Sequence, residues 1–274
     1  MSTLSEAEWH KVCDEAVKEM SAHVEPFTSP ISRIMSDTHG EHHGTGYYFQ
    51  AGSAKYLITN EHVAKRLIKG SLTHKFNGDD KLFLITSSAL TIMAPVDVAI
   101  IRINEGTWNK DTHNASAIPL SRFAERHDPV QHELLFFAGF SGQRSKFFFG
   151  NLITPGTPYA TQESPFPTSL NEADPKFHFS LFYPPDLARS IDGTSSLPDP
   201  HGFSGSLVWD TKRVACLQAR KEWSPAMAEV TGILWGWPSG AACILATKVE
   251  KLGLKDLVDK EAGLTEGLGK LAQI

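Results

Sequence analysis

Three side chains that can cooperate in covalent catalysis stand in three separate motifs of this sequence. His62 lies in YLITNEHVA, Asp97 in APVDVAII and Ser204 in HGFSGSLVWD. A serine hydroxyl is a weak nucleophile at its own pKa, so it needs an imidazole to accept its proton and a carboxylate to fix the tautomer of that imidazole. These residue types therefore predict acyl transfer through a covalent serine intermediate.

The four letters around Ser204, Gly-Phe-Ser-Gly, occur a second time around Ser141, in LLFFAGFSGQRS. A serine between glycines is either an exposed nucleophile or part of a turn. The motif alone does not distinguish the two. We find no other internal repeat, and two four-letter matches are weak support for a duplication.

The elements that would position these residues are short and rich in β-branched and aromatic residues. From Gly44 onward, runs of about four to eight residues are bounded by turn formers, which is typical of an all-β sandwich or barrel. The predicted strands are GTGYYFQ, KYLIT, KLFLIT, DVAIIRI, ELLFFAG, KFFFGNLI, KFHFSLF, GSLVWD, RVACLQA, EVTGILWG and ACILAT.

Helices are predicted at both ends. Residues 5–22 place an apolar stripe behind a capping box formed by Ser5 and Glu8, and that stripe docks either onto the body of the protein or onto a partner. The stripe consists of Trp9, Val12, Cys13, Ala16, Val17 and Met20. The predicted division is an N-terminal helix (1–25), a first barrel with His62 and Asp97 (26–128), a second barrel with Ser204 (129–248) and a helical segment (249–274), with the joint between barrels near 126–131.

Composition excludes several classes of function. The 274 residues are 41% hydrophobic and 21% charged with a net charge of -5, and no Lys/Arg run is longer than a pair, so a nucleic-acid partner is not expected. No window of about 18 apolar residues indicates a membrane span, and the first 25 residues do not resemble a signal peptide, which predicts a cytoplasmic protein. Cys13, Cys216 and Cys243 fit neither a disulfide framework nor a zinc site and are expected to be reduced.

Taken together, the motifs resemble those of the trypsin/chymotrypsin-like serine proteases, particularly bacterial members such as the high-temperature-requirement proteases without their PDZ domain. GTGYYF followed by YLITNEHV resembles the first strands and histidine motif of the family, DVAII its aspartate motif, and GFSGSLVW its serine motif. The match extends from about Gly44 to Val249 in the order His, Asp, Ser. Ser141 follows Asp97 too closely, at a place where the family has a strand and a glycine turn, so we interpret Ser141 as structural.

The resemblance implies an all-β, chymotrypsin-like double β-barrel with added terminal helices, and a serine endopeptidase of protein or peptide substrates that needs no cofactor. In this scheme His62 moves the proton, Asp97 orients His62, and the amides of Gly202 and Ser204 bind the oxyanion. The substrate would lie along Leu234, Trp235, Gly236 and Trp237, although tryptophans there are also typical of core packing. By counting, Pro198 stands where basic-residue specificity has an aspartate, which disfavours cleavage after Lys or Arg and leaves small or medium apolar side chains.

The sequence also departs from the family. Phe203 precedes the serine where secreted members have an aspartate that pairs with a new N-terminus, so activation by that route is not expected. The enzyme is either active once folded or ordered by a partner, for which the N-terminal helix and the turn-rich loop 183–201 are the candidate surfaces. That loop is equally well interpreted as a lid or as a solvated excursion.

Alternatives from other classes remain. One is a catalytically silent, protease-shaped binding or scaffold protein, and another is an esterase. An α/β-hydrolase is disfavoured because no histidine follows Ser204, and a subtilisin-like set of Asp37, His43 and Ser195 lacks the required α/β pattern. A metal site in THGEHHG is also disfavoured, because its residues lack ligand spacing; these are His39, Glu41, His42 and His43.

Overall fold

A computed structural model describes residues 5–36, 39–69, 71–110, 112–148, 151–167, 170, 172–184, 197–238 and 240–271. Apart from one two-stranded hairpin, the strands of the described residues form two curled, mainly antiparallel sheets. Their architecture is that of a chymotrypsin-like double β-barrel, as the sequence predicted.

The first sheet carries the order β5-β4-β1-β2-β3-β7-β6, and β8 pairs in parallel with β2. Its strands are β1 Thr28–Ser36, β2 His39–Ala51, β3 Ala54–Thr59, β4 Leu72–His74, β5 Phe83–Leu84, β6 Ala89–Ile92, β7 Val98–Arg102 and β8 Ile118–Pro119. The pairing of β3 with β7 places Thr59 opposite Ala99. The chain segments that follow β3 and precede β7 therefore meet at one end of the sheet.

The second sheet has the order β12-β9-β14-β15-β16-β13, and β10 and β11 form a separate hairpin. The strands are β9 Leu135–Phe140, β10 Lys146–Phe148, β11 Asn151–Ile153, β12 Gly156–Thr161, β13 His178–Phe182, β14 Leu207–Asp210, β15 Glu229–Gly236 and β16 Cys243–Lys248. The predicted single strand KFFFGNLI is therefore two paired strands, with Phe148 opposite Asn151. Residues 126–131 lie between the two sheets in sequence.

One hydrophobic cluster joins the two sheets. It includes Tyr47 and Phe49 from β2 and Phe136 and Trp209 from the second sheet, all at most 1% exposed. The Tyr47 hydroxyl also donates to the carbonyl of Ala138 at 2.5 Å. Since burying each large side chain is worth about 1.5–3 kcal/mol, this shared core fixes the two sheets against each other.

Helix α1 (Glu6–Val24) begins with the predicted capping box, in which Ser5 and Glu8 satisfy each other's backbone amides. Its buried residues are Val12, Ala16, Val17, Met20 and Val24. This face packs on the second sheet and its neighbours, for example on Leu134 and Val214. The apolar stripe is thus covered by the chain's own body.

The predicted strand RVACLQA is wrong, because Arg213–Ala219 forms helix α4. Its N-terminal amides bind the buried carboxylate of Glu133, which accepts from Val214 N at 2.7 Å and from Ala215 N at 2.9 Å. A carboxylate from a residue remote in sequence thus caps the helix, and it outweighs the local preference for a strand.

The described residues also form the α-helices α2 Glu61–Ala64, α3 Glu105–Lys110 and α5 Leu254–Leu271. The predicted C-terminal helix is therefore present, and Leu254 and Leu257 of α5 join the shared core. Glu261 of α5 accepts from the Tyr56 hydroxyl at 3.0 Å and pairs with Arg102. Within the described ranges, no helix is both long and apolar enough to cross a membrane.

Candidate active site

The imidazole of His62 and the carboxylate of Asp97 form a two-point contact. His62 Nδ1 donates to Asp97 Oδ2 at 2.6 Å, and the backbone amide of His62 donates to Asp97 Oδ1 at 3.0 Å. With the carboxylate accepting at Nδ1, the proton stays on that nitrogen and Nε2 is left as an acceptor. Asp97 is therefore equipped to set the tautomer of His62.

The local backbone explains why these two residues meet. His62 lies in α2, directly after β3, and Asp97 directly precedes β7, the neighbour of β3. Asn60 Nδ2 donates to the Asp97 carbonyl at 2.7 Å. Asp97 itself has a left-handed backbone with φ of 53°, a conformation that is uncommon outside glycine and is often found at functional sites.

Exposure separates the roles of the pair. The side chain of Asp97 is 11% exposed, whereas that of His62 is 45% exposed. The carboxylate therefore sits behind the imidazole, and the free edge of the imidazole faces the solvent and an incoming substrate.

The serine loop depends on two glycines. Gly202 and Gly205 have φ values of +104° and +92°, which side-chain-bearing residues rarely adopt. A Cβ at Gly205 would also lie 2.0 Å from the carbonyl oxygen of Thr45. The close approach to β2 that this glycine allows brings Thr45 N within 2.9 Å of the carbonyl of Ser204.

The backbone amides of Gly202 and Ser204 donate no hydrogen bond to any residue in the described segments. Their neighbours are engaged, since Phe203 N binds the Pro200 carbonyl and Gly205 N binds the Leu234 carbonyl. Two free amides beside a half-buried serine are available to bind a developing negative charge.

His62 and Ser204 line one cleft of about 270 Å³. The structure also brings all four predicted substrate-binding residues of β15 and its extension to this cleft. The lining is His62, Pro200, His201, Gly202, Phe203, Ser204, Leu234, Trp235, Gly236, Trp237 and Ile244. No hydrogen bond joins Ser204 to His62 among the described residues.

Pro198 does not line the cleft. It is buried, and its carbonyl accepts from the Tyr183 hydroxyl at 2.6 Å. Pro200 and Ile244 line the cleft. Neither is marked by a sequence motif, because counting back from Ser204 does not account for the path of the loop. The lining contains no carboxylate among the described residues.

The two tryptophans at the cleft have different neighbours. The ring centroid of Trp235 lies 4.8 Å from that of His178, and Trp237 meets His201 edge to face at 5.6 Å. Burial lowers the pKa of His178, whose Nε2 contacts the Pro95 carbonyl at 2.7 Å. Trp235 is thus packed on a neutral, fixed histidine, which gives the cleft a rigid wall.

Ser141 is buried and hydrogen-bonded, as expected for a structural serine. It is 0% exposed, its hydroxyl donates to the Asp199 carbonyl at 2.7 Å, and it accepts from Gln143 N at 3.2 Å. The first Gly-Phe-Ser-Gly therefore supports the loop that carries the second. Gly139 contributes as well, since a Cβ there would lie 2.9 Å from the ring of Phe203.

Phe203 anchors the serine loop by burial. It is 2% exposed and lies in a cluster with Phe137 and Tyr183, with ring centroids 5.5 Å and 6.2 Å away. An apolar side chain here needs no ion pair with a free N-terminus to stay in place.

The histidine cluster of THGEHHG does not gather as a metal site. Among the described residues no group of three or more His, Cys, Asp or Glu side chains could hold a metal ion. Burial lowers the pKa of His42 to about 4, although hydrogen bonds with the backbone of Gly202 and Phe140 raise it in part. Burial also lowers the pKa of His43. Asp37 and Ser195 of the subtilisin-like alternative, and residues 185–196 of the proposed lid, lie outside the described residues.

A larger cavity of about 540 Å³ lies apart from these residues, between the end of α1, the 75–80 turn and β9. It contains neither His62 nor Ser204. The candidate site is therefore identified by the His62–Asp97 pair and not by the volume of its cavity.

Comparison with solved structures found low-level likenesses to chains of viral proteins. Tobacco etch virus protease complexed with product is 15% identical over 87% of this chain and 80% of that chain, with a TM-score of 0.47. Tobacco vein mottling virus protease is 12% identical over 85% and 82%, with a TM-score of 0.46. A chain from a study of the Sesbania mosaic virus VPg protein is 13% identical over 80% and 85%, with a TM-score of 0.45.

Likenesses at this level do not bear on the nucleophile or the substrate of this chain. No protein-family model matches the sequence, and no curated protein matches it. The predicted chymotrypsin-like double β-barrel fold is confirmed by the two sheets. The serine-protease assignment and its bacterial relatives stay predictions.

Proposed function

We propose that this protein is a serine endopeptidase that cleaves peptide bonds through an acyl-enzyme intermediate. The observation that carries the proposal is the 2.6 Å contact of His62 Nδ1 with Asp97 Oδ2 behind a cleft that Ser204 also lines. A serine hydroxyl needs an imidazole oriented in this way as the base that accepts its proton.

In the proposed reaction Ser204 Oγ attacks the substrate carbonyl and its proton passes to His62 Nε2. Asp97 stabilises the imidazolium that forms. His62 then gives the proton to the leaving amine, and a water molecule reverses the sequence to release the acyl group. The absent Ser204–His62 hydrogen bond is compatible with this route, since such bonds often tighten only when substrate is bound.

The proposed oxyanion site consists of the amides of Gly202 and Ser204. It is supported by the two free N–H groups and by the positive φ of Gly202, which lets the chain turn both groups the same way. Loss of one such donor typically costs about 100- to 1000-fold in kcat.

The proposed substrate class is a peptide with an uncharged apolar side chain next to the cleaved bond. Pro200, Leu234 and Ile244 give the cleft apolar walls, Trp235 and Trp237 narrow it, and no described lining residue offers a carboxylate to a Lys or Arg side chain. Asp199 lies nearby but accepts from His201 N at 2.9 Å.

A partner that activates the enzyme through α1 is less well supported than one that acts at loop 183–201, because the apolar face of α1 is covered. The buried Phe203 supports a serine loop that is ordered without cleavage of the chain. A cytoplasmic location, and the absence of nucleic-acid and membrane partners, stay predictions.

A silent, protease-shaped binding protein is the second candidate, and the missing Ser204–His62 hydrogen bond favours it. The two are separated by incubating the protein with a peptide library and, separately, with simple esters, and identifying products by mass spectrometry, with Ser204→Ala in parallel. Products that require Ser204 and follow apolar residues support the proposal. Cleavage dominated by Arg would contradict the specificity, turnover of esters alone would favour an esterase, and no turnover of either would favour the silent protein.

A further inference from the structure

Two side chains of the first sheet reach across to the serine loop of the second. Both belong to β2. His42 Nε2 lies 2.8 Å from the carbonyl of Phe140, and Thr45 Oγ1 donates to the carbonyl of Gly202 at 2.8 Å. Neither contact belongs to the proton-transfer pair of His62 and Asp97.

Phe140, the last residue of β9, links these two contacts. Its amide donates to Thr45 Oγ1 at 3.0 Å while its carbonyl faces His42. Both backbone groups of Phe140 are therefore held by side chains from the other sheet. We call His42, Thr45 and Phe140 the inter-sheet clamp.

Gly202 rests directly on the clamp. A Cβ at Gly202 would lie 2.6 Å from His42 Nε2 and 2.6 Å from the Phe140 carbonyl oxygen. Thr45 thus fixes the peptide plane between Gly202 and Phe203 at its carbonyl, and the imidazole of His42 closes one side of the Gly202 Cα. The preceding plane, which carries the Gly202 N–H, is held at the His201 carbonyl, which accepts from Gly142 N at 2.8 Å. Rotation of that plane would move the Gly202 backbone away from the cleft.

The chemistry of His42 suits a fixed, neutral donor. A carbonyl at Nε2 requires the proton on that nitrogen, and Nδ1 is buried without a hydrogen-bond partner among the described residues. Burial lowers the pKa of His42 to about 4, so the ring is uncharged at neutral pH. An unprotonated Nδ1 costs less to bury than a second N–H with no acceptor.

We propose that His42 is a positioning residue that, together with Thr45, holds Gly202 in the orientation in which its amide binds the oxyanion. This inference rests on the proposed peptidase function. His42 acts through Phe140 and Gly202 and does not touch the substrate.

The test compares His42→Leu, which removes the donor, with His42→Gln, which keeps an N–H for the Phe140 carbonyl. Thr45→Val and Thr45→Ser form the matched pair at the second contact, and His39→Leu on the exposed part of β2 is the control. We expect kcat per site titrated by a fluorophosphonate to fall about 100-fold in His42→Leu with KM within about threefold. His42→Gln should keep most of the kcat that His42→Leu loses, and Thr45→Ser most of the kcat that Thr45→Val loses. His39→Leu should match the wild type.

Titration of the sites separates a positioning role from a folding defect, because unfolded protein is not counted. A kcat per titrated site within about twofold of the wild type in both His42→Leu and Thr45→Val would overturn the proposal. Deuterium exchange of the 199–206 segment supplies a readout that does not need catalysis. Faster exchange is expected in His42→Leu and Thr45→Val only. Unchanged exchange in both variants would overturn the clamp, whether or not the wild type is active. An inert wild type would separately refute the peptidase.

Discussion

Replacing Asp97 by Asn should abolish most reactivity at Ser204 while leaving the fold intact. The carboxylate accepts two hydrogen bonds, one from the His62 backbone amide at 3.0 Å and one from His62 Nδ1 at 2.6 Å. An asparagine has only one oxygen. Because the backbone N–H cannot become an acceptor, the oxygen must face it, and the NH₂ group then faces Nδ1.

The consequence is a change of tautomer at His62. An NH₂ donor at Nδ1 forces the proton onto Nε2, which can no longer accept a proton from Ser204. The corresponding change in a well-studied serine protease lowers kcat about 10⁴-fold, so we expect a loss of about 10³- to 10⁴-fold here. Asn tolerates the left-handed backbone of position 97 well, which keeps the expected loss of stability to about 1 kcal/mol.

The assay is the second-order rate constant for modification by a fluorophosphonate, because it needs no knowledge of the substrate. Asp259→Asn, at an exposed position of α5, is the matched control and should keep the wild-type rate. A rate for Asp97→Asn within tenfold of the wild type, in protein with an unchanged melting temperature, would refute the tautomer argument.

Three further predictions concern stability. Phe203→Ala should lower the unfolding free energy by about 3–5 kcal/mol and slow fluorophosphonate labelling, since it leaves a cavity under the serine loop. Phe203→Leu should lower the unfolding free energy less. Equal urea midpoints for the wild type and both variants would contradict this prediction. Glu133→Gln should cost about 1–3 kcal/mol, because its NH₂ group would face one of the two α4 amides that the carboxylate accepts from, and an unchanged urea midpoint would count against the cap. Burial depresses the pKa of His42 to about 4 and that of His74 to about 3, from 6.5, so the stability they contribute is present above pH 6.5 and lost as pH falls. Each should remove about 1.4 kcal/mol per pH unit between pH 6.5 and 4, and a flat stability profile there would show that neither is buried in its neutral form.

The candidate site could be proposed from the sequence because its chemistry depends on residue types in a fixed order. His62, Asp97 and Ser204 are singled out by what a serine nucleophile requires, and the strands that bring His62 and Asp97 together carry clear β patterns. The fold class followed from the same short runs.

The errors share a physical cause, which is contact between residues distant in sequence. RVACLQA was predicted as a strand from its local pattern. It forms a helix because Glu133, far earlier in the chain, caps its N-terminus. Sequence reasoning did not find the lining residues Pro200 and Ile244, since the loop path that brings them to the cleft depends on such contacts. The support that Ser141 gives to the serine loop depends on Asp199 in the same way.

The central claim is that Ser204 is a nucleophile activated by His62, and one measurement tests it most directly. The pure protein is incubated with a fluorophosphonate, which bonds its phosphorus to the serine oxygen with loss of fluoride and the hydroxyl proton, and its intact mass is read beside Ser204→Ala and Ser141→Ala. We predict a single adduct on the wild type and on Ser141→Ala and none on Ser204→Ala. No adduct on the wild type, or an adduct that persists in Ser204→Ala, would contradict the account.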